Sequence, residues 1–202
     1  MTQRLMFLSA TILSLLVALM SYRFLALGLG MAFPDMGPHI DFGRIAFLAH
    51  VSAAPVALAL GMFQFAPRIR QNRPGLHLWM GRLYGVAILI AGLGALAMTP
   101  TDNGGLAAKL GFGLLAVLWL GTTAYAIRLA MARRIAAHRR WMIRSFALTF
   151  AAVTLRLYLA PMMLAGMNYA EAIPILAWAC WVPNLVIAEW LLARRGRGRV
   201  AA

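Results

Sequence analysis

The sequence predicts an all-α fold: an integral membrane bundle of six transmembrane helices with both termini cytoplasmic. Three observations lead there. The 202 residues are 63% hydrophobic and 12% charged, with a mean hydropathy of +0.79, whereas soluble domains are roughly 45–50% apolar and 25% charged. Six stretches hold the roughly 20 mostly apolar residues needed to cross a hydrocarbon core about 30 Å thick. Basic residues gather in alternate connections, the pattern of short cytoplasmic loops.

The first span is expected at about 5–30. Arg4 precedes it as in a signal peptide, but the apolar run is too long for an h-region and no convincing cleavage site follows, so it should stay attached as a helix. The remaining spans are expected at about 44–66, 77–99, 106–129, 141–165 and 173–193. Between them PDMGPHIDFG, RIRQNRPG, TPTDNGG and GMNYAEA carry the Pro, Gly, Asn and Asp of connections, and none is long enough to form a domain of its own. The expectation is a single membrane domain over residues 1–202. Pro55, Pro161 and Pro183 interrupt backbone bonding within or near spans and are expected to kink them, the last beside Asn184 in WVPN.

Thirteen arginines collect at one end: Arg4, Arg68, Arg70, Arg73, Arg128, Arg133, Arg134, Arg139, Arg140, Arg194, Arg195, Arg197 and Arg199. The other connections hold Asp35, Asp41, Asp102 and Glu171, with Arg44 and Lys109 only at helix edges. The formal charge of +14 is therefore a topology signal, with the basic end and both termini expected on the cytoplasmic side. A nucleic-acid partner is not expected, because no recognisable binding module accompanies the charge. The lone Cys180 lies in an apolar run and offers neither a disulfide nor a paired thiolate site.

The charges left inside the spans are Arg23, Arg44, Arg82, Lys109, Arg144, Arg156 and a single acid, Glu189. An ionised group at a helix centre costs roughly 2.5–3.5 kcal/mol on insertion scales, so it should face protein and find a partner. Arg82, Arg144 and Glu189 share one depth, roughly 5–8 Å inside the arginine-rich end at 1.5 Å per residue. A buried cluster is expected in which Glu189 pairs with Arg82, Arg144 or both. Eighteen residues, or five turns, separate His138 from Arg156, and Ser145, Thr149 and Ala152 fall near the same line. His50, Ala54, Ala57, Gly61 and Gln64 form a similar face on the second span, and His77, Gly81, Tyr84, Ile88 and Gly92 on the third. Such stripes should face the bundle interior. The expected buried polar core is His50, Gln64, Arg156, Asn184 and Glu189.

His77 and His138 stand at matching depth on the third and fifth spans, as axial ligands of a haem iron would, with Arg82 and Arg144 nearby to neutralise propionates. HLWMGRLY and HRRWMIRSF also echo one another, sharing Trp-Met-x-Arg-x-aromatic after a histidine. No phosphate-binding glycine loop, HExxH or clustered carboxylate set is present, which leaves hydrolase and nucleotidase readings without support.

AHVSAAPVALALGMFQFAPRIR, LHLWMGRLYGVA, AHRRWMIRSFALTFAAVTLRLYL and CWVPNLVIAEW closely resemble the bacterial predicted membrane proteins grouped as domain of unknown function 2306. The resemblance runs from His50 to Glu189. Matching positions are His50, Gln64 and Phe65; His77, Gly81, Arg82 and Tyr84; His138, Trp141, Met142, Arg144 and Arg156; and Trp181, Asn184 and Glu189. It implies a multi-helix membrane protein and carries no established activity. A looser analogy is with six-helix di-haem cytochromes b, although the fourth span lacks a histidine, so a full di-haem arrangement is not supported.

The expected function is a multi-pass inner-membrane protein whose polar His/Arg/Glu core binds a cofactor or ligand. Three finer readings stay open. One is a redox protein holding haem b through His77 and His138 and exchanging electrons with quinone. Another is a small-solute transporter whose path is lined by His50, Gln64, Arg156 and Asn184. The third is a non-catalytic subunit that assembles or stabilises membrane partner proteins. Whether the chain is an enzyme is open in the same way.

Overall fold

The computed structural model describes residues 2–197, so Arg199 lies outside the described residues. The chain is helical nearly throughout, with no strand among those residues, and six of its helical segments are long and apolar enough to cross a membrane. They run Arg4–Leu27, Pro34–Gln64, Pro74–Thr101, Gly105–Met131, Ile135–Leu164 and Tyr169–Arg194. Consecutive spans are antiparallel, which brings the arginine-bearing connections to one end and the acidic ones to the other.

Three spans are less regular than their apolar runs suggest. The first was expected to be continuous to residue 30, yet its long helix stops at Ser21 and continues as two short turns, Phe24–Leu27 and Leu29–Ala32, hinged at Gly28 with φ of +75°. That left-handed conformation is open to glycine and strained for other residues. The second span opens with a 3-10 turn at Pro34–Met36, becomes α-helical at Gly37 and bends at Gly43, whose φ of −143° and ψ of 30° lie outside the helical region. The fifth begins at Ile135, so His138, Arg139 and Arg140 sit within its first turns rather than ahead of it. It is then interrupted at Phe150, where the Phe150 carbonyl accepts from both Val153 and Thr154.

The proline expectations divide. The second and fifth spans continue as helix through Pro55 and Pro161. The sixth does break before Pro183, at Cys180–Trp181, and Asn184 repairs it by donating from Nδ2 to the Cys180 carbonyl at 3.0 Å. The same amide exchanges hydrogen bonds with the Thr154 hydroxyl at 3.0 and 3.1 Å, tying the sixth span to the fifth.

The second and third spans make the most extensive contact, followed by the fourth with the fifth. Small residues permit it. A Cβ at Gly94 would stand 2.6 Å from the Ala46 carbonyl oxygen, and one at Gly111 would stand 2.8 Å from the Ala177 carbonyl oxygen, so in both places backbone touches backbone. The largest core cluster joins Ala57, Tyr84, Ile88, Trp119, Leu148 and Trp181 from five spans. All three polar stripes face inward as expected: Ala57 and Gly61, Tyr84 and Ile88, and Ser145 and Thr149 are buried. The outward faces are apolar, as a lipid-facing surface must be.

Candidate functional site

Arg156 is the clearest functional candidate, because its surroundings do not neutralise it. The guanidinium donates from Nη1 to the Ala152 carbonyl at 2.8 Å and from Nη2 to the Ser21 hydroxyl at 3.3 Å. Ser21 passes its own proton to the Val17 carbonyl at 2.7 Å, which leaves its oxygen free to accept. All these partners are neutral, and no described carboxylate forms an ion pair with Arg156. Among the charged groups close enough to interact with it is another cation, Arg23. Arg23 is also held by neutral groups, donating to the Ala32 carbonyl from Nε at 3.0 Å and from Nη2 at 2.5 Å, with the Phe33 ring 4.8 Å from its guanidinium carbon. The break after Ser21 positions this arginine, since it turns Arg23 back toward Ala32.

A cavity of about 70 Å³ lies between the first, second and fifth spans, lined by Ser21, Phe33, His50, Ala54, Ala152 and Arg156 among others. A water needs roughly 10–15 Å³ by this kind of measure, so the space suits a few waters or one small anion. His50 donates from Nδ1 to the Ala91 carbonyl at 2.9 Å. A carbonyl can only accept, so Nδ1 carries the proton and, in the neutral ring, Nε2 keeps a free lone pair. The cavity therefore has a permanent cation on one wall and an imidazole of defined tautomer on another.

Toward the acidic end a larger cavity of about 250 Å³ is walled by three connections: Asp35 to His39, Thr101 to Gly104, and Asn168 to Ile173. His39 Nδ1 and the Thr101 hydroxyl lie 2.6 Å apart. Thr101 directs its proton to the Met98 carbonyl at 2.8 Å, so His39 is the donor. Tyr169 lines this cavity and is close enough to interact electrostatically with Asp35, Asp102 and Arg156, which places it between the acidic mouth and the inner arginine. A capping box at Asn168 and Glu171, closed by two 3.0 Å bonds, starts the sixth span and holds Tyr169 at its first turn.

The arginine-rich end differs from expectation in detail. Glu189 does pair with Arg144, through Nε–Oε1 at 2.5 Å and Nη2–Oε2 at 2.8 Å, the fork geometry of a strong charge-assisted pair. The pair is not buried, however: the two side chains are 21% and 48% exposed. Arg82 does not join it, being exposed and lying over Trp79 at 5.4 Å. Depth set the level correctly, but rotation about the third span points Arg82 outward. Arg144 also lies over Trp141 at 4.7 Å, and Trp141 meets Tyr125 edge-on.

The two histidines of this end are drawn together closely enough to interact electrostatically, with Arg70 also near His77. His138 donates from Nδ1 to the Ala126 carbonyl at 2.8 Å. Such a backbone bond fixes the tautomer of metal-ligating histidines and leaves Nε2 available. The Nδ1 of His77 is buried with no hydrogen-bond partner among the described residues. Neither arginine expected near them is poised for a propionate, since Arg144 is committed to Glu189 and Arg82 faces outward. No group of three metal-ligating side chains occurs among the described residues.

Gln64 and Asn184 serve the scaffold. Gln64 donates to the His77 carbonyl at 3.3 Å and so joins the second span to the start of the third. Of the expected polar core, His50 and Arg156 line the cavity between the first, second and fifth spans, and Glu189 is an exposed partner.

A buried hydroxyl network accounts for the rest of the fifth-span stripe. Tyr84 Oη lies 2.9 Å from both Ser145 Oγ and Thr149 Oγ1. Trp119 donates from Nε1 to Thr149 at 2.8 Å, and Thr123 lies 2.7 Å from Ser145. The Thr123 hydroxyl gives its proton to the Trp119 carbonyl at 2.7 Å, so Ser145 donates to Thr123. Thr149 donates to the Ser145 carbonyl at 2.9 Å and accepts from Trp119, and both Ser145 and Thr149 present oxygens that can accept the single proton of Tyr84. Sequence reasoning placed Tyr84, Ser145 and Thr149 on inward stripes but missed Trp119 and Thr123, the fourth-span half of the network. Thr122 and Thr123, adjacent in an otherwise apolar segment with Trp119 one turn before, were the available signal. Ser21 and Tyr169 were missed because they meet Arg156 only through the tertiary fold.

A family model described as "Predicted membrane protein (DUF2306)" matches residues 47–192. No curated protein and no solved structure matches the chain. The matched segment contains His50 and Arg156, whereas Ser21 and Arg23 precede it.

Proposed function

The chain belongs to the DUF2306 family of predicted membrane proteins, and from that premise we propose that it binds a small anionic ligand inside the bundle, with Arg156 as the anchoring charge. The observation that carries this reading is a guanidinium within a membrane span that lines a cavity and has only neutral hydrogen-bond partners. A second cation, Arg23, is near enough to add to the same positive potential. Two positive charges without an ion-pair partner among the described residues, in a low-dielectric setting, favour an anion strongly. His50 contributes Nε2, as acceptor when neutral and as donor when protonated, so a ligand carrying its own acidic proton would be held by both groups. The acidic-end cavity is the wider approach, with Tyr169 between it and Arg156.

The ligand class is tested by thermal unfolding of the detergent-solubilised full-length protein at constant ionic strength with chloride, sulfate, phosphate, acetate and larger carboxylates. At least one anion should raise Tm, and Arg156→Gln should abolish that rise. Equal curves in all salts, or an unchanged rise in Arg156→Gln, would refute the reading. If the site is a transport site, uptake of the stabilising anion into proteoliposomes should be lost in the same variant. On this reading the arginine-rich end faces the cytoplasm of a bacterial inner membrane, which reporter fusions to both ends should register as inside.

A second reading rests on His138. Its anchored Nδ1 and its neighbour His77 supply two imidazoles at one end of the third and fifth spans, the requirement for one b-type haem. Purified protein from haem-sufficient cells should then show a Soret band that is lost in His138→Ala. A colourless preparation eliminates this reading.

A further inference from the structure

The third and fourth spans touch along a seam of glycines. A Cβ at Gly85 would stand 2.9 Å from Ile127 Cδ1, and one at Gly92 would stand 2.6 Å from Leu120 Cδ2. Beside that seam the third span presents Arg82, Val86, Leu89 and Leu93, spaced four, three and four residues apart and therefore on one face. The fourth presents Val117, Gly121, Ala124 and Arg128 with the same spacing. All eight are exposed. Arg82 lies about 60° around its helix from Gly85, and Arg128 about 100° around from Ile127. For antiparallel neighbours these rotations turn the two arginines to the same side of the seam.

The other side is occupied. The fifth span packs there through the His138 bond to Ala126, and the second packs on the third through Tyr84 and Gly94. What remains is an open apolar groove, deepened at Gly121, where a Cβ would meet nothing within 4 Å. Two guanidinium groups close it at the arginine-rich end. Neither has an ion-pair partner among the described residues, and Glu189, the only acid within a span at this end, is engaged by Arg144. Trp79, 68% exposed and beneath the Arg82 guanidinium, marks the level where ring and charge sit between acyl chains and headgroups.

We propose that this groove holds one anionic phospholipid, its phosphate between Arg82 and Arg128 and an acyl chain along Leu89, Leu93, Val117 and Gly121. Helix axes in contact stand about 8–10 Å apart, a separation that two arginine side chains can span to meet one phosphate. The shape selects a diacyl lipid over a soluble anion, since the charge stands at the end of an apolar channel. The site is separate from the Arg156 cavity and does not depend on that cavity's role.

The test is native mass spectrometry of the full-length protein released from detergent containing phosphatidylglycerol or phosphatidylcholine with the same acyl chains. One phosphatidylglycerol should be retained in preference to phosphatidylcholine. Arg82→Gln and Arg128→Gln should each reduce its retention about fivefold, the effect of one basic residue near an anionic headgroup. Arg4→Gln, at the same end of the bundle on the first span, should leave retention unchanged. Gly121→Leu fills the groove while keeping both charges and should also reduce retention. The proposal is overturned if phosphatidylcholine is held equally well, if the double variant R82Q/R128Q keeps phosphatidylglycerol at the wild-type level, or if millimolar inorganic phosphate displaces the lipid. The last outcome would identify a free-anion site instead.

Discussion

Replacing Tyr84 with Phe should destabilise the bundle by about 1–2 kcal/mol. Tyr84 is 1% exposed and its hydroxyl makes two 2.9 Å hydrogen bonds, to Ser145 and Thr149. Side-chain hydrogen bonds within membrane bundles average about 0.6 kcal/mol and reach about 1.7 kcal/mol, so two of them set an upper limit near 3 kcal/mol. The loss falls below that limit because no neighbour is left without a partner. Ser145 retains Thr123 at 2.7 Å, and Thr149 retains both Trp119 and the Ser145 carbonyl. The ring stays, so no cavity term is added. Reversible unfolding in mixed detergent and SDS micelles measures the change, with Thr11→Val as control because the half-buried Thr11 hydroxyl bonds the Phe7 carbonyl of its own helix and joins no other span. A double-mutant cycle of Tyr84→Phe with Thr149→Val should show coupling of about 0.5 kcal/mol or more. A loss of less than about 0.3 kcal/mol together with no coupling would show that the network does not join the third and fifth spans energetically.

Four further outcomes follow from contacts elsewhere. Gly94→Ala should cost about 1–3 kcal/mol in the same assay, the range for overpacking, because the new methyl meets the Ala46 carbonyl oxygen at 2.6 Å and the His50 nitrogen at 3.0 Å, and neither backbone atom can swing away. Gly121→Ala, with open space around it, should be neutral or stabilising by up to about 1 kcal/mol; equal effects at the two glycines would refute the packing argument. Glu189→Gln should lower stability by only about 0.5–1 kcal/mol, since the partial exposure of both partners weakens the pair, and a loss of several kcal/mol would mean that the pair is buried in the native membrane state. Cys180, 1% exposed and the only thiol, should resist maleimide until SDS unfolds the bundle, so rapid labelling of the folded protein would contradict its packing.

The six spans were legible in the sequence because crossing a bilayer is a constraint on length and composition, and both can be counted. Inward faces were legible for the same kind of reason: a period of 3.6 residues places His50 with Gln64, and His138 with Arg156, whatever lies opposite. The Arg144–Glu189 pair followed from depth. Depth alone could not separate Arg144 from Arg82, because both stand at one level and only the rotation of each helix against its neighbours decides which faces the sixth span.

The candidate site was legible only in part for a related reason. Arg156 and His50 were identifiable as polar groups in apolar surroundings, but Gln64 and Asn184 looked equally suitable. Nothing local distinguishes an amide that lines a cavity from one that satisfies a carbonyl left by a helix break. The breaks at Ser21 and Cys180–Trp181 made that distinction, bringing Ser21 and Arg23 toward Arg156 and binding Asn184 to the Cys180 carbonyl. The Tyr84 network needed Trp119 and Thr123 from a span whose inward face has no histidine or charge to mark it.

Taken alone, the amino-acid order determined that this chain is a helical membrane bundle, which faces turn inward, and which end carries the arginines. These properties depend on local composition and helical periodicity. Tertiary packing decided that Arg156 has neutral hydrogen-bond partners with a second cation nearby, that Glu189 selects Arg144, and that Arg82 and Arg128 turn to the same side of one helix seam. Each is a relation between residues on different spans, fixed by the height and rotation at which glycine seams and helix breaks let those spans meet.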